Sequence, residues 1–260
     1  RRQQEYYAHL AGVRTEGEYG YMLSEVLPGG MLRHRLETLT EAERQHVYYQ
    51  LGHYLGRIHN VTFDAFGDVT LDNDTVLLTG LRGVAGAERP SSHWRAMFAA
   101  ILAHELDILA ASTFADLVPT LREYINSALP LIDYQIRPRL LHMDFHSGNI
   151  FIDGATVTGV LDMEEGLVGH NEYGLSRVEM LHFLDDRSRY RNAFIRGYTQ
   201  HITLDAGYAE RLDFYHLTSY VQRAARLTAY ERLHGLTLAP RRAESRHEIQ
   251  TMLDVVRPQL

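Results

Sequence analysis

The chain has 260 residues, a formal net charge of −7, 45% apolar and 23% charged residues, and no cysteine. Such a length carries one large or two small domains around a real core, and the composition is that of an ordinary globular protein. The acidic balance leaves nucleic acid no electrostatic footprint, no apolar run reaches membrane-spanning length, RRQQEYY is no signal peptide, and disulfides and thiolate metal sites are excluded.

All 26 basic residues are arginines, so no step that needs lysine can be completed by these residues. The absence of cysteine fits a cytoplasmic setting. In chain order, RRQQEYYAHLAG reads as the end of a helix stopping near Gly12, and Tyr21 to Val26 as a strand running into a Pro-Gly-Gly loop. Thr40 and Glu43 have capping-box spacing, and Val47, Leu51, Leu55 and Ile58 follow at helical period. Residues 60 to 90 read as loop or hairpin. Trp94, Met97, Phe98, Ile101, Leu102, Leu106 and Leu109 form a second helical stripe. Asp116 to Gln135 reads as helix with a break at Pro130. Asn149–Asp153 and Thr156–Leu161 read as two strands around Asp153-Gly154. Helices are expected at roughly 173–184, 189–201, 207–234 and 240–256, with Pro240 opening the last. The fold class expected is α+β: a short β portion, then a mainly helical body with one hairpin inside it.

That hairpin carries the chemistry. His142, Asp144 and Asn149 have the H-x-D-x-x-x-x-N spacing of a kinase catalytic loop, and Asp162 ends the second strand. In such a loop the aspartate faces the acceptor hydroxyl, while the asparagine and a later aspartate hold magnesium. Phosphoryl transfer needs positioning and cations more than covalent help, and magnesium prefers oxygen ligands.

The segment HMDFHSGNIFID…VTGVLDMEEGLVGHNEYGLSRVE resembles the H-G-D-x-H-x-x-N…I-D-W-x-x-A-x-x-G-D-P-x-x-D-L signature of aminoglycoside phosphotransferases and related small-molecule kinases. LGHYLGRIHN resembles the helix before their catalytic loop. FGDV with SSHWRAMFAAIL resembles a segment of the hygromycin-like members, and YMLSEVLPGG their interlobe hinge. The resemblance implies a protein-kinase-like fold, with residues 1–30 the end of a nucleotide-binding lobe and 31–260 the catalytic and substrate lobe. It implies Asp144 as catalytic base, Asn149 and Asp162 as magnesium ligands, and Ser24 and Val26 on the purine of ATP or GTP. Glu5 would pair with a phosphate-binding lysine, and His142 and His59 would brace the loop. Phe145 for Leu, Met163 for Trp, and His170-Asn171 for Asp-Pro depart from the signature. The glycine-rich loop and its lysine would lie before Glu5, so the chain is expected to be part of a longer protein or a degenerate kinase.

The expected function is transfer of a γ-phosphoryl group to a hydroxyl of a small, cationic molecule of aminoglycoside type, with neither nucleic acid nor membrane as partner. A ligand-binding pseudokinase is the alternative from another class. A metallohydrolase is a third, using His142, Asp144 and His146, with His182, Asp185 and Asp186 recruited. Glu164 and Glu165 read either as a solvated acidic loop or as contacts to substrate ammonium groups. Glu179, Asp185 and Asp186 are weaker candidates of that kind.

Overall fold

The computed structural model describes residues 26–72, 75–183 and 186–256. In chain order these form β1 (Gly30–Met31), a helical turn at Leu32–Arg35, α1 (Glu41–His59), β2 (Gly67–Asp72), β3 (Thr75–Thr79), α2 (Trp94–Ala110) and α3 (Val118–Ala128). Then come β4 (Arg139–Leu141), β5 (Ile150–Asp153), β6 (Thr156–Val160), β7 (Leu167–Gly169), α4 (Asn171–His182), α5 (Arg191–Tyr198), α6 (Tyr208–His234) and α7 (Ala239–Val256).

Local chemistry sets several of these boundaries. Thr40 accepts from the Glu43 backbone N–H, and Glu43 Oε2 accepts from the Thr40 N–H at 2.7 Å, so the capping box opens α1. The segment 116–135 is more broken than one helix with a kink. Short 3-10 turns at Ala115–Leu117 and Leu129–Ile132 flank α3, because Pro119 and Pro130 suit only the first turn of a helix. The Asp153-Gly154 turn is tight, with Gly154 at φ +53° and Asp153 directly opposite Thr156. Residues 60–90 do hold a hairpin, β2 with β3, in antiparallel register Asp68↔Thr79 to Asp72↔Thr75.

Two small antiparallel sheets result, in the orders β1-β5-β6 and β3-β2-β7-β4. Among the described residues the buried apolar side chains gather into two cores. One is built by α2, α3, α6 and α7 around Trp94, Phe98, Phe214 and Tyr215. The other packs α1 against α5 and the β5–β6 hairpin around Leu51, Leu55, Ile150 and Phe194. Helices α1 and α5 approach closely because glycines face each other across the contact. A Cβ on Gly52 would lie 1.9 Å from the Phe194 carbonyl oxygen, and one on Gly197 would lie 2.0 Å from that of Tyr49. Alanine improves helix propensity by about 1 kcal/mol over glycine, but overpacking costs about 1–3 kcal/mol, and here the obstacle is backbone. Gly52→Ala is therefore expected to be destabilising, by up to about 2 kcal/mol net. Urea denaturation checks this; a midpoint at or above wild type contradicts the close approach.

Among the described residues, no helix is long and apolar enough to cross a membrane.

Candidate active site

The loop between β4 and β5 runs through His142, Met143, Asp144, Phe145 and His146 to Asn149. Its conformation is fixed from both sides. Met143 is buried in the α2/α6 core, while Phe145 is buried in the α1/α5 core, so opposite anchors flank Asp144. Met143 adopts φ +61° and Asp162 φ +66°, the two positive-φ non-glycine residues among those described. An L-residue pays roughly 1–2 kcal/mol for that region, and such costs cluster where function constrains the backbone. The signature has glycine at position 143. Methionine accepts the strain there in exchange for a buried side chain.

His142 links the two ends of the constellation. Its Nε2–H donates to the Leu161 carbonyl at 2.9 Å, next to Asp162, and its Nδ1 faces the Asp144 backbone N–H at 3.4 Å. Burial holds its pKa below the ordinary histidine value, with the Leu161 hydrogen bond opposing, so the ring is a neutral brace. The Leu161 N–H also donates to the Asn149 carbonyl at 2.8 Å. Asn149 Nδ2 donates to Asp144 Oδ2 at 2.8 Å and to the Asp144 carbonyl at 3.1 Å. His146 Nδ1 accepts from the Gly148 N–H at 2.8 Å, which leaves its Nε2–H to face the same Oδ2 at 3.4 Å. One oxygen of Asp144 is thus held, and the other takes no hydrogen bond among the described residues. The side-chain oxygen of Asn149 and the exposed Asp162 carboxylate take no hydrogen bond among the described residues. A carboxylate and an amide oxygen are donors that suit magnesium, so the residues fit that ion.

His59 is fully buried and its Nδ1 accepts from the Tyr198 hydroxyl at 2.9 Å, while that hydroxyl accepts from Asn171 at 3.2 Å. Burial, then the Arg139 guanidinium, push the His59 pKa down to about 3. It stays neutral and ties α1 to α4 and α5. The metallohydrolase arrangement does not assemble: His182 Nε2–H donates to the Phe145 carbonyl at 3.0 Å, and no cluster of three His, Asp or Glu residues suited to a metal occurs among the described residues. Val26 is 96% exposed, and the chain then crosses the hairpin, where Thr158 Oγ1 donates to the Pro28 carbonyl at 2.9 Å. Glu5, Ser24 and Asp185 lie outside the described residues. Asp186 begins a 3-10 turn, Asp186–Tyr190. Glu179 is buried and forms a bidentate pair with Arg191 at 2.7 Å, so it is a packing residue rather than a substrate contact.

Glu164 and Glu165 line a cleft of about 340 Å³ beside Met143, together with Asp68, Glu105, Tyr173 and Arg226. Arg226 pairs with Glu165 at 2.7 Å, and Arg177 donates to the Met143 carbonyl at 3.0 Å. Glu105 and Arg177 were not legible as site residues from motifs. Glu105 nevertheless had a signal, because it occupies a position of the buried α2 stripe, four residues after Ile101.

The loop from His142 to Asn149, the β5–β6 hairpin and the helical lobe behind them make up a protein-kinase-like fold, that of a phosphotransferase. The sequence model of the phosphotransferase enzyme family, APH, matches residues 7–215, and the chain belongs to that family. Curated proteins offer no match. Solved structures do. A thermostable mutant of aminoglycoside phosphotransferase APH(4)-Ia, in ternary complex with AMP-PNP and hygromycin B, superposes with TM-score 0.61 at 16% identity, covering 97% of this chain and 81% of that one. The gentamicin complex of APH(2")-IIa gives 0.57 at 14% identity, with 96% and 79% covered. A candidate fructosamine-3-kinase of Thermobifida fusca YX-ER1 gives 0.52 at 16% identity, and this chain spans 66% of its length.

Proposed function

We propose that the protein transfers the γ-phosphoryl group of ATP or GTP to a hydroxyl of a small molecule, with Asp144 as catalytic base. The observation that carries this reading is the held geometry of Asp144, with one carboxylate oxygen fixed by Asn149 and the side chain partly exposed. The acceptor O–H donates to the other oxygen. As the acceptor oxygen bonds to the γ-phosphorus, the bond to the β-phosphate oxygen breaks, the nucleoside diphosphate leaves, and the proton passes to Asp144. Asn149 and Asp162 are the magnesium ligands in this reading, and the ion supplies neutralisation of phosphate charge. Residues 31–260 are the catalytic and acceptor lobe, and residues 1–30 close the nucleotide lobe. Ser24, Val26 and Glu5 keep nucleotide-side roles on the strength of the resemblance alone.

The acceptor is an amine-bearing polyol of aminoglycoside type in this reading. Two observations support it: the cleft beside Met143 presents Glu164 and Glu165, and the gentamicin and hygromycin B complexes belong to proteins of the same fold.

The test is transfer of label from γ-labelled ATP or GTP to a panel of amino-polyols by the full-length protein. Asp162→Asn is expected to lower magnesium-dependent nucleotide affinity at least tenfold, read by titration with and without chelator. Nucleotide binding with no transfer to any acceptor would make the protein a pseudokinase. Unchanged magnesium dependence in Asp162→Asn would remove Asp162 from the metal site.

A further inference from the structure

We propose that Glu105 is the residue that determines acceptor specificity, its buried carboxyl group taking a protonated amine of the substrate. The inference rests on the cleft beside Met143 being the acceptor site. Glu105 projects from α2 one turn after Ile101, and both line that cleft. Its Oε2 is sealed from solvent yet has no hydrogen-bond partner among the described residues. A buried carboxyl oxygen without a partner is costly and calls for an explanation, and a ligand that completes it is one that its place in the cleft offers.

The neighbouring cations do not fill this role. Arg226 of α6 is paired with Glu165 at 2.7 Å. Arg177 of α4 is committed to the Met143 carbonyl at 3.0 Å. Both act on Glu105 only through their fields, and burial outweighs them, pushing its pKa up to about 8. Tyr173 of α4 also faces it, and its phenol is held above the ordinary value by burial and by Glu105. On the remaining walls stand Asp68 and Arg82, then Glu164 and Glu165. With Glu105 protonated, three carboxylates still line the cleft against two guanidiniums, one of them already paired with Glu165, so the cleft keeps an acidic excess that grows when Glu105 ionises. A neutral hydroxyl would not call for that excess; an ammonium would.

The empty cleft therefore holds Glu105 mostly protonated at neutral pH. A bound ammonium stabilises the carboxylate, and the proton leaves to solvent. Binding should be proton-linked, and amine affinity should rise as pH approaches 8. Glu105→Gln reproduces the neutral form, so the variant should fold as wild type does.

Calorimetry on the full-length protein reads this, with gentamicin and hygromycin B as amine probes and sucrose as a neutral polyol, at pH 7 in two buffers of different ionisation heat. Comparing wild type with E105Q cancels protons exchanged by the ligands' own amines. The expected difference is net proton release on amine binding in wild type that is absent in E105Q. Amine affinity should fall at least tenfold in E105Q, with sucrose bound weakly by both. Equal proton release in the two proteins, a preference for sucrose, or no binding of either amine overturns the inference. Phosphorylation of the amines with unchanged KM in E105Q sinks it while leaving the acceptor reading intact. Proton-linked amine binding without any transfer leaves Glu105 standing and sinks the acceptor reading. Should E105Q not fold, carbon NMR titration of the Glu105 carboxyl in wild type decides: its midpoint must fall from about 8 when amine is added.

Discussion

Asp144→Asn is expected to lower kcat by about 10²–10⁴ while leaving KM for both substrates within a few fold. The reason is geometric. Asparagine keeps the shape of the side chain, and its oxygen can still accept from Asn149 Nδ2, which reaches Asp144 Oδ2 at 2.8 Å. What disappears is the oxygen that would accept the hydroxyl proton, and with it the charge that orients the acceptor. Loss of fold is not the expected route. Asp144 is partly exposed, with 35% of its side chain accessible, so losing one charge-assisted bond should cost only about 1 kcal/mol. His146→Ala serves as comparison. It removes the weaker 3.4 Å contact to the same oxygen and leaves the other oxygen untouched, so its loss in kcat should be far smaller. Rapid-quench measurement of a single turnover separates chemistry from product release. Chemistry in Asp144→Asn at the wild-type rate would remove Asp144 from the reaction.

Which parts of this arrangement were legible in the sequence follows from the range of the forces involved. The capping box at Thr40 and the Asp153-Gly154 turn are local, so spacing alone exposes them. The catalytic loop was readable because its polar residues lie close together in the chain and its hairpin directly follows. Sheet partners were not readable. β1 pairs with β5 across about 120 residues, and β2 pairs with β7 across about 100, contacts chosen by tertiary packing rather than by either segment alone. The opposed anchoring of Met143 and Phe145 was hidden for the same reason: both are simply apolar until two separate cores exist. Glu179, weighed as a substrate contact, proves to be tied to Arg191, because a helix face facing solvent and one facing another helix carry the same charges in sequence. Glu105 shows the opposite case. A carboxylate on an apolar stripe conflicts with its own pattern, and such conflicts mark places where function overrides packing.

The departure at His170-Asn171 leads to the second large effect. These residues cap and open α4, and the next residue, Glu172, is buried against Arg211 of α6 through two hydrogen bonds of 2.6 and 2.8 Å. Around this pair the Tyr215 hydroxyl receives the Trp94 indole N–H at 2.8 Å and contacts His170 Nδ1 at 2.7 Å. Burial holds the His170 pKa well below the ordinary value, so the network is built on a neutral ring and the charge of Arg211. Arg211 also reaches Asp205 and lies 5.1 Å from the Tyr134 ring centroid. Arg211→Met should cost about 3–5 kcal/mol, because a desolvated carboxylate would be left without its cation. For a chain of this size that corresponds to a fall in Tm of roughly 10 °C. The intact pair need not stabilise the protein to nearly that extent. Replacing both residues, Glu172→Met with Arg211→Met, should recover most of the loss, since apolar packing often matches a buried ion pair. The pair's structural use is to set α4 against α6. The chain reaches α4 only nine residues after Asp162, through β7, so an α4 that shifts moves the cleft wall with it. Arg211→Met should thus raise the acceptor KM even at temperatures where it remains folded, while nucleotide affinity stays unchanged. Thermal unfolding of the two single variants and the double variant completes the cycle. Additive losses in that cycle would mean that Glu172 and Arg211 are not coupled as the structure places them.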